Sequence, residues 1–143
     1  MKYVVGFLHD GKNVVLVKKN RPKWQKGKLN GPGGKIELNE SAEAAMTREF
    51  LEETGLRINN WHWYAYLNFN GHDTGTEDGI FFFEKRVPTG MLLRAKTMES
   101  EKIAVYNASK LRKKSLISNL TWLLPLAMLD QKYTVITIAE IPS

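Results

Sequence analysis

Three glutamates, Glu49, Glu52 and Glu53, are spaced so that one face of a helix would carry all three carboxylates. Each helical residue turns the chain by about 100°, so positions three and four residues apart are neighbours on one face. Like charges at that spacing repel one another and cost stability unless something offsets them. A hard divalent cation would do so, because Mg²⁺ prefers carboxylate oxygens and bound phosphates. The spacing therefore indicates a metal site for phosphate chemistry.

A solvated acidic face is the alternative interpretation of these glutamates, and the residues around them argue against it. Arg48 and Glu40 are placed to brace the helix and the loop that precedes it. The pair Gly33-Gly34, just upstream, allows backbone atoms to come close to a metal ion or a phosphate. We therefore favour a metal site over a merely solvated face.

The glutamates fall near the end of a segment, residues 41–54, whose composition predicts a helix. Its alanine, methionine, glutamate, arginine and leucine residues are good helix formers. Asn39 or Ser41 would cap its start, and Gly55 stands where a glycine commonly ends a helix. The helix thus brings the carboxylates to one place, directly after a glycine-rich loop.

The elements around this helix are predicted from apolar and aromatic runs. Such runs predict strands at 4–8, 14–18, 61–69, 80–85, 103–106 and 133–138. An apolar segment at 116–129 predicts a second helix, despite Pro125. The basic, glycine-rich stretch 18–35 is expected to be a loop, and the polar stretch 70–79 either a lid or a plain hairpin loop. This mixture predicts an α/β fold, a sandwich of helices around a mixed β-sheet.

Length and composition limit the classes of protein to consider. The 143 residues fit one domain, residues 1–143, with a globular composition. The absence of cysteine excludes disulfides, thiolate metal sites and a cysteine nucleophile. A bilayer-spanning stretch and a signal peptide are both missing, so we expect a cytoplasmic location and no membrane partner. The net charge of +6 suits an anionic ligand, although it also serves solubility.

The spacing of the glutamates belongs to a longer motif in residues 34–56. It reads Gly34, five residues, Glu40, seven residues, and then Arg48-Glu49-Phe50-Leu51-Glu52-Glu53-Thr54-Gly55-Leu56. This motif resembles the Nudix box of the MutT/Nudix hydrolases at every fixed position. Phe50 is a mild departure, because an aliphatic residue is usual there. The resemblance implies the Nudix fold, an α/β/α sandwich around a mixed β-sheet.

The resemblance also implies a cofactor and the residues that hold it. The cofactor would be Mg²⁺, with Mn²⁺ as a substitute, and its ligands would be Glu49, Glu52, Glu53 and the Gly33 carbonyl. Arg48 would orient these glutamates by pairing with them. Glu40 would mainly hold the junction between the loop and the helix.

Hydrolysis of a diphosphate linkage also needs a carboxylate that takes the proton of the attacking water. Glu52, Glu53 and a glutamate from a later loop are the candidates. In the loop at 96–101 we prefer Glu99, which would also be a further metal ligand, with Glu101 as the second choice. The alternative is that both loop acids are only solvated.

Residues outside the box resemble the branch of the family that hydrolyses nucleoside triphosphates, including oxidised purine ones. Asn30 and Asn119 would read a purine edge, because an amide both donates and accepts hydrogen bonds. The alternative is that both asparagines serve only in turns and helix caps. The tryptophan and paired aspartates of the animal enzymes are missing from residues 116–120. Phosphates would be bound by Lys19, Arg21 and Lys35.

These inferences predict a Mg²⁺-dependent Nudix hydrolase that cleaves nucleoside triphosphates to a nucleoside monophosphate and pyrophosphate. The alternatives are ADP-ribose, a dinucleoside polyphosphate, or a capped or triphosphorylated RNA end as the substrate. A non-catalytic nucleotide-binding domain is a further alternative, which the intact glutamates disfavour. His9, His62 and His72 show no metal-ligand spacing and are expected at the surface or in packing. The sequence does not indicate an oligomeric state.

Overall fold

The structure, a computed structural model, describes residues 1–70, 77–129 and 136–139. Its strands are β1 (Lys2–His9), β2 (Asn13–Lys18), β3 (Leu29–Asn30), β4 (Gly33–Lys35), β5 (His62–Asn70), β6 (Glu77–Arg86), β7 (Ile103–Asn107) and β8 (Ile136–Ala139). Its helices are α1 (Ala42–Thr54), α2 (Thr89–Leu92) and α3 (Leu120–Ala127), and 3₁₀ turns lie at Lys23–Gln25, Ala108–Lys110 and Lys113–Ser115. No helix within these described ranges is long and apolar enough to cross a membrane.

The strands form one mixed sheet in the order β3-β2-β1-β6-β5-β8, with β4 beside β1 and β7 beside β2. β1 runs antiparallel to β2 and parallel to β6, whereas β5 runs antiparallel to β6 and parallel to β8. Parallel neighbours cannot be joined by a tight turn, so the chain between β1 and β6 includes a crossing helix, α1. This mixed sheet with its helices confirms the predicted α/β fold.

Side chains of β1 contribute to both faces of the sheet, and each face packs under a helix. Val4 lies with Met46 and Phe50 of α1 in one buried cluster. Phe7 lies with Leu123 of α3 in the other. Successive residues of a strand point to opposite faces, so a single strand can serve two cores. The result is the predicted sandwich, with α1 and α3 on opposite sides of the sheet.

The caps of α1 explain where the helix begins and ends. Ser41 is the N-cap, and its Oγ accepts a hydrogen bond of 3.1 Å from the Ala44 N–H. Gly55 ends the helix with a φ of 77°, a left-handed conformation that glycine adopts without steric cost. Its N–H donates to the Leu51 carbonyl. Both ends agree with the sequence prediction, and they fix which residues of α1 face β1 and β4.

The basic stretch 18–35, expected to be a loop, contains two short strands, which corrects that expectation. β3 pairs with β2, and β4 pairs with β1. The second helix is also shorter than predicted, because the Ile117 N–H donates to the Leu29 carbonyl at 3.1 Å and Leu116 bridges to Leu29. These partners are remote in sequence, so local composition does not reveal them.

Two further predictions fall partly outside the described residues. The last strand is observed as β8, from Ile136, and residues 133–135 of the predicted strand are not described. Residues 71–76 of the loop predicted at 70–79 are also outside, and His72 is among them. The lid hypothesis for that loop therefore stays a prediction.

A buried carboxylate, Glu84, joins two of the histidines on neighbouring strands. His9 Nε2 donates to Glu84 Oε1 at 2.8 Å, and His62 Nδ1 lies 2.7 Å from Glu84 Oε2. The Gly11 N–H donates to His9 Nδ1 at 3.1 Å, which places the ring proton of His9 on Nε2. Burial of Glu84 opposes its ionisation, but the hydrogen bonds from His9 and His62 hold its pKa below the ordinary value. The histidines are therefore packing residues with a specific acidic partner.

Replacing Glu84 tests this arrangement through the acid dependence of stability. A lowered pKa in the folded chain means that ionised Glu84 stabilises the fold at neutral pH. That contribution is lost as the pH falls from about 4.5 through the lowered folded value. Glu84→Gln should therefore weaken this acid dependence. It should also lower the free energy of unfolding at neutral pH by about 1–3 kcal/mol. The glutamine side chain has only one oxygen, so one histidine N–H would face its NH2 group and lose its acceptor.

Chemical denaturation across the acid and neutral range measures both effects of Glu84→Gln. Glu43→Gln, which changes an exposed carboxylate on α1, is the matched control and should keep the wild-type profile. Equal acid dependence in Glu84→Gln and in the wild type would contradict the assigned pairing.

Candidate active site

Glu53 lies in the last turn of α1, and only 7% of its surface is exposed. Its Oε2 accepts a hydrogen bond of 2.8 Å from the Gly33 N–H on β4. Burial raises the pKa of Glu53 to about 8, an effect that the Gly33 N–H opposes and the nearby Glu49 increases. Glu53 is thus a buried acid whose charged form the chain itself stabilises poorly.

Glu49 lies one turn earlier on α1, with its carboxylate against Gly34 of β4. A side-chain carbon built on Gly34 would fall 2.5 Å from the carboxyl carbon of Glu49, and its three nearest neighbours all belong to Glu49. Burial raises the pKa of Glu49, and hydrogen bonding by Arg48 reduces that rise without cancelling it. The missing side chain at Gly34 is therefore what leaves room for the Glu49 carboxylate.

Gly34→Ala should displace this carboxylate while leaving the sheet in place. The obstructing atoms are the far end of a flexible side chain, so Glu49 would move and the backbone would not. We expect metal affinity to fall by about tenfold to a hundredfold, as for other disturbed ligand supports. Calorimetric titration with Mn²⁺ measures the loss. Gly90→Ala, at a position with nothing within 4 Å, is the control, and wild-type affinity in Gly34→Ala would contradict the role of Gly34.

Arg48 connects α1 to the loop before it through several hydrogen bonds. Its Nε and Nη2 donate to the two oxygens of Glu40 at 2.7 and 2.8 Å, which is a bidentate pair. Nη1 donates to Glu49 Oε1 at 2.9 Å, and Nη2 also donates to the Lys35 carbonyl at 3.0 Å. The pairing with Glu40 holds the pKa of Arg48 above its ordinary value and that of Glu40 below its own. Glu40 therefore holds the guanidinium of Arg48 in place, and Arg48 in turn orients the carboxylate of Glu49.

A cavity of about 260 Å³ opens beside these carboxylates. It is lined by Asn20, Arg21, Glu53, Glu99, Ser100 and Glu101. Burial is the main cause of the raised pKa of Glu49 and of Glu53, and the charge of Glu99 adds to both shifts. The structure thus brings Glu99, from the loop before β7, close to the glutamates of α1.

Glu101, the second choice for a proton acceptor, is engaged by another part of the chain. Lys19 Nζ donates to Glu101 Oε1 at 3.1 Å, and the Asn20 N–H donates to Oε2 at 2.5 Å. Burial opposes ionisation of Glu101, yet these bonds keep its pKa below the ordinary value. Glu99, by contrast, has no hydrogen-bond or ion-pair partner among the described residues. Glu101 therefore positions the loop of Asn20, and Glu99 is the free acid of the two.

Three other predicted residues lie outside this cavity. Glu52 is about half exposed, and its carboxylate lies 3.5 Å from Arg48 Nη1. Lys35 has an exposed side chain, and its carbonyl is the group that meets Arg48. The Asn30 Oδ1 accepts a hydrogen bond of 2.8 Å from the Gly31 N–H, which is the local turn contact considered as the alternative. None of the three lines the space beside Glu53 in the part of the chain described.

Asn119 precedes α3 but does not cap it, because its side chain makes no capping hydrogen bond. Its Oδ1 is buried and has no partner among the described residues. A buried carbonyl without a donor costs free energy. Asn119 is not among the residues that line the cavity beside Glu53.

Asn20 and Ser100 line the cavity, although neither is predicted from the sequence as a site residue. Both are polar loop residues that belong to no motif. The signal that points to them is their position next to Arg21 and Glu99, which are predicted site residues.

The donor set fits a hard divalent cation such as Mg²⁺. After burial, the charges of Glu49 and Glu99 add to the raised pKa of Glu53, and a bound cation would offset that repulsion. Within residues 1–70, 77–129 and 136–139, no three acidic, histidine or cysteine side chains are already arranged around one point as metal ligands. The carboxylates would therefore have to turn inward to share an ion.

Known proteins resemble this chain in sequence and in fold. The NUDIX domain family matches residues 2–122. An oxidized purine nucleoside triphosphate hydrolase from Danio rerio is 38% identical over 55 residues, which are 38% of this chain and 35% of that protein. The chain thus spans about a third of the length of that relative.

Two solved structures show the same fold at low sequence identity. A mutator MutT protein from Bacillus halodurans has a TM-score of 0.73 at 20% identity, covering 99% of this chain and 90% of that one. The NUDIX domain of Shewanella oneidensis NrtR, solved in complex with ADP ribose, has a TM-score of 0.63 at 15% identity. The match covers 89% of this chain and 84% of the NrtR chain. These likenesses confirm the Nudix fold.

The family match starts at β1 and continues into α3, far beyond the motif at 34–56. It agrees with the enzyme class predicted from that motif, a Nudix pyrophosphohydrolase. Because most of the sequence matches and the fold agrees, the chain belongs to the NUDIX domain family.

Proposed function

We propose that this chain is a Mg²⁺-dependent nucleoside triphosphate diphosphatase that releases a nucleoside monophosphate and pyrophosphate. The observation that carries the proposal is the cavity that Glu53, Glu99 and Arg21 line together, since it combines metal-type donors with a phosphate-binding cation. The relative that acts on oxidized purine nucleoside triphosphates supports the substrate class, and oxidised purine deoxynucleotides are included. A cytoplasmic location is part of the proposal.

Glu49, Glu53 and Glu99 would hold the ion, with the Gly33 carbonyl and Glu52 as further donors. Mn²⁺ would substitute for Mg²⁺, because both favour carboxylate oxygens. When bound, the ion would neutralise phosphate charge and make water more acidic. Glu52 is exposed at the edge of the site, so it would have to turn from Arg48 to contribute.

Glu99 is the residue that we propose as the proton acceptor. It lines the cavity and has no hydrogen-bond or ion-pair partner among the described residues, so its oxygens are available to a water molecule. Glu53 is the second candidate for the role, but one of its oxygens already accepts from the Gly33 N–H. Glu101 is unsuited, because both of its oxygens are bonded to the loop at Lys19 and Asn20.

Arg21 would bind the substrate phosphates, since its exposed guanidinium stands at the cavity and can pair with two oxygens at once. Lys19, which is held in an ion pair with Glu101, would add a second positive charge for the substrate phosphates. Lys35 is exposed and points to no described partner, so we give it only a long-range role in attracting the anionic substrate.

Asn119 would read the base with its unpartnered Oδ1, and Asn30 would assist with its amide nitrogen. Asn119→Ala should leave the phosphate chemistry intact but reduce the preference between purine bases by about tenfold. That factor corresponds to the loss of one hydrogen bond, which contributes about one to two kcal/mol. Ratios of kcat/KM for adenine, guanine and 8-oxoguanine triphosphates measure this. Asn59→Ala, at an exposed position on another surface, is the control. Unchanged ratios in Asn119→Ala would remove this residue from the base site.

A substrate panel with purified protein and Mg²⁺ tests the proposed function. The panel holds normal and 8-oxo nucleoside triphosphates, ADP-ribose, a dinucleoside polyphosphate and capped RNA, with separate detection of pyrophosphate and of orthophosphate. Pyrophosphate release from the triphosphates is the expected result. Turnover of only the other substrates would keep the hydrolase and overturn the substrate class. Absence of all turnover, with nucleotide binding retained, would favour a non-catalytic binding domain.

A further inference from the structure

A second cavity, of about 500 Å³, lies at the other end of the sheet from the carboxylates. Gly11 and Lys12, in the turn between β1 and β2, are among its lining residues. The candidate active site lies instead at Asn20 and Arg21, which follow the opposite end of β2. The two cavities share no lining residue, so the second one is a separate feature of the molecule.

The floor of this second cavity, here called the α3 groove, is apolar. Leu116, Leu120 and Leu124 recur every four residues along α3 and the segment before it, and all three are buried. Leu111 and Met128 extend the apolar surface on either side. A cavity of this size with a largely apolar lining is typical of sites for small organic ligands.

The rim of the α3 groove is positively charged. Lys12 and Lys113 are exposed lining residues, and neither has an ion-pair partner in the described part of the chain. No acidic residue lines the groove among the residues described. Asp10, two residues before Lys12, accepts hydrogen bonds from the N–H groups of Lys12 and Asn13 and from the Thr89 hydroxyl. The groove thus combines an apolar floor with two lysines that have no ion-pair partner among the described residues.

We propose that the α3 groove binds a soluble amphipathic anion, namely a medium-chain fatty carboxylate. Its alkyl chain would lie along the three leucines, and its carboxylate would lie between Lys12 and Lys113. Burial of the alkyl chain provides most of the affinity, and the two lysines select the anion over neutral or cationic molecules of the same length. The proposal is independent of the proposed function, because no residue of the candidate active site takes part.

Calorimetric titration of the full chain with decanoate, below its micelle concentration, tests the proposal. We expect saturable binding, and each methylene added from hexanoate to decanoate should tighten it by about fourfold. Amide shifts in NMR spectra should concentrate at Leu111, Thr121 and Met128, and should leave Glu53 and Glu99 unchanged. Absence of saturable binding, or shifts centred on the active site, would overturn the proposal.

Charge reversal separates a built site from nonspecific adsorption. The double variant Lys12→Glu, Lys113→Glu should weaken decanoate binding by about tenfold and leave decanol binding unchanged. Lys114→Glu, the same change next to the groove but outside its lining, is the matched control. Since these three positions are exposed, the variants should keep the wild-type thermal midpoint. Equal decanoate affinity in the double variant and in the control would show that the lysines do not form the site.

Discussion

Glu53→Gln is expected to lower kcat by about a hundredfold or more while the protein remains folded. The substitution keeps the shape of the side chain and its acceptor oxygen for the Gly33 N–H, but it removes the charge that a divalent ion would require. Glu53 is the buried carboxylate of the cavity lining, whereas Glu99 is exposed, so the two occupy different depths. The loss should therefore persist at saturating Mg²⁺.

The same substitution has a second expected effect, on the stability of the metal-free protein. A pKa raised to about 8 means that folded Glu53 keeps a proton that the unfolded chain releases above its ordinary value of 4.5. Stability therefore falls as the pH rises through the window from about 4.5 to about 8. Glu53→Gln carries no such proton, so its thermal midpoint in chelator should be less sensitive to pH across this window.

Steady-state hydrolysis with excess Mg²⁺ and thermal unfolding in chelator measure the two effects of Glu53→Gln separately. Glu43→Gln, an exposed change on the same helix, is the control for both. Wild-type turnover by Glu53→Gln would show that Glu53 is not part of the metal site. Reduced turnover together with a collapsed thermal midpoint would instead assign Glu53 a structural role.

Arg48→Lys is expected to lower kcat/KM by about tenfold to a hundredfold, even though the charge is kept. The guanidinium of Arg48 binds Glu40 through two nitrogens and reaches Glu49 with the third. A lysine ammonium is a single point charge on a flexible stem, so it cannot keep both contacts in one geometry. The carboxylate of Glu49 would then lose its fixed orientation.

A comparison of two Arg48 variants shows whether its shape or its charge matters. If the fork geometry matters, Arg48→Lys and Arg48→Met should be impaired to a similar degree in both activity and Mn²⁺ affinity. Arg94→Lys, at an exposed site, is the control and should behave as the wild type. Full activity in Arg48→Lys would show that charge alone suffices there.

The sequence determined α1 and its glutamates because the responsible interactions are local. Ser41 caps the helix through an N–H three residues away, and Gly55 ends it through its own backbone conformation. The shared face of Glu49, Glu52 and Glu53 then follows from helix geometry. The pairing of Arg48 with Glu49, which the family resemblance implied, is present in the structure. Runs of apolar and aromatic residues likewise predicted β1, β2 and the central strands.

The burial and the partners of each acid in the site depend on the packing of remote segments. Glu52 and Glu53 are adjacent on α1, yet Glu52 is half exposed and Glu53 is buried, because only the latter turns toward the Gly33 N–H of β4. Glu99 and Glu101 are also close in sequence, yet only Glu101 meets Lys19. Sequence spacing gives the face of a helix or the position in a loop. It does not give depth, because depth depends on which distant segment packs there.

The same reason explains the contacts that the sequence concealed. The buried group of Glu84, His9 and His62 comes from three strands that become neighbours only in the sheet. β4 can approach β1 because Gly33 has no side chain to meet the backbone of Val4, and composition alone predicted a loop for that stretch. Local interactions therefore made the helix and the spacing of its glutamates predictable from the sequence. Burial and charge pairing between remote segments were decided by the fold, since both depend on packing across the whole chain.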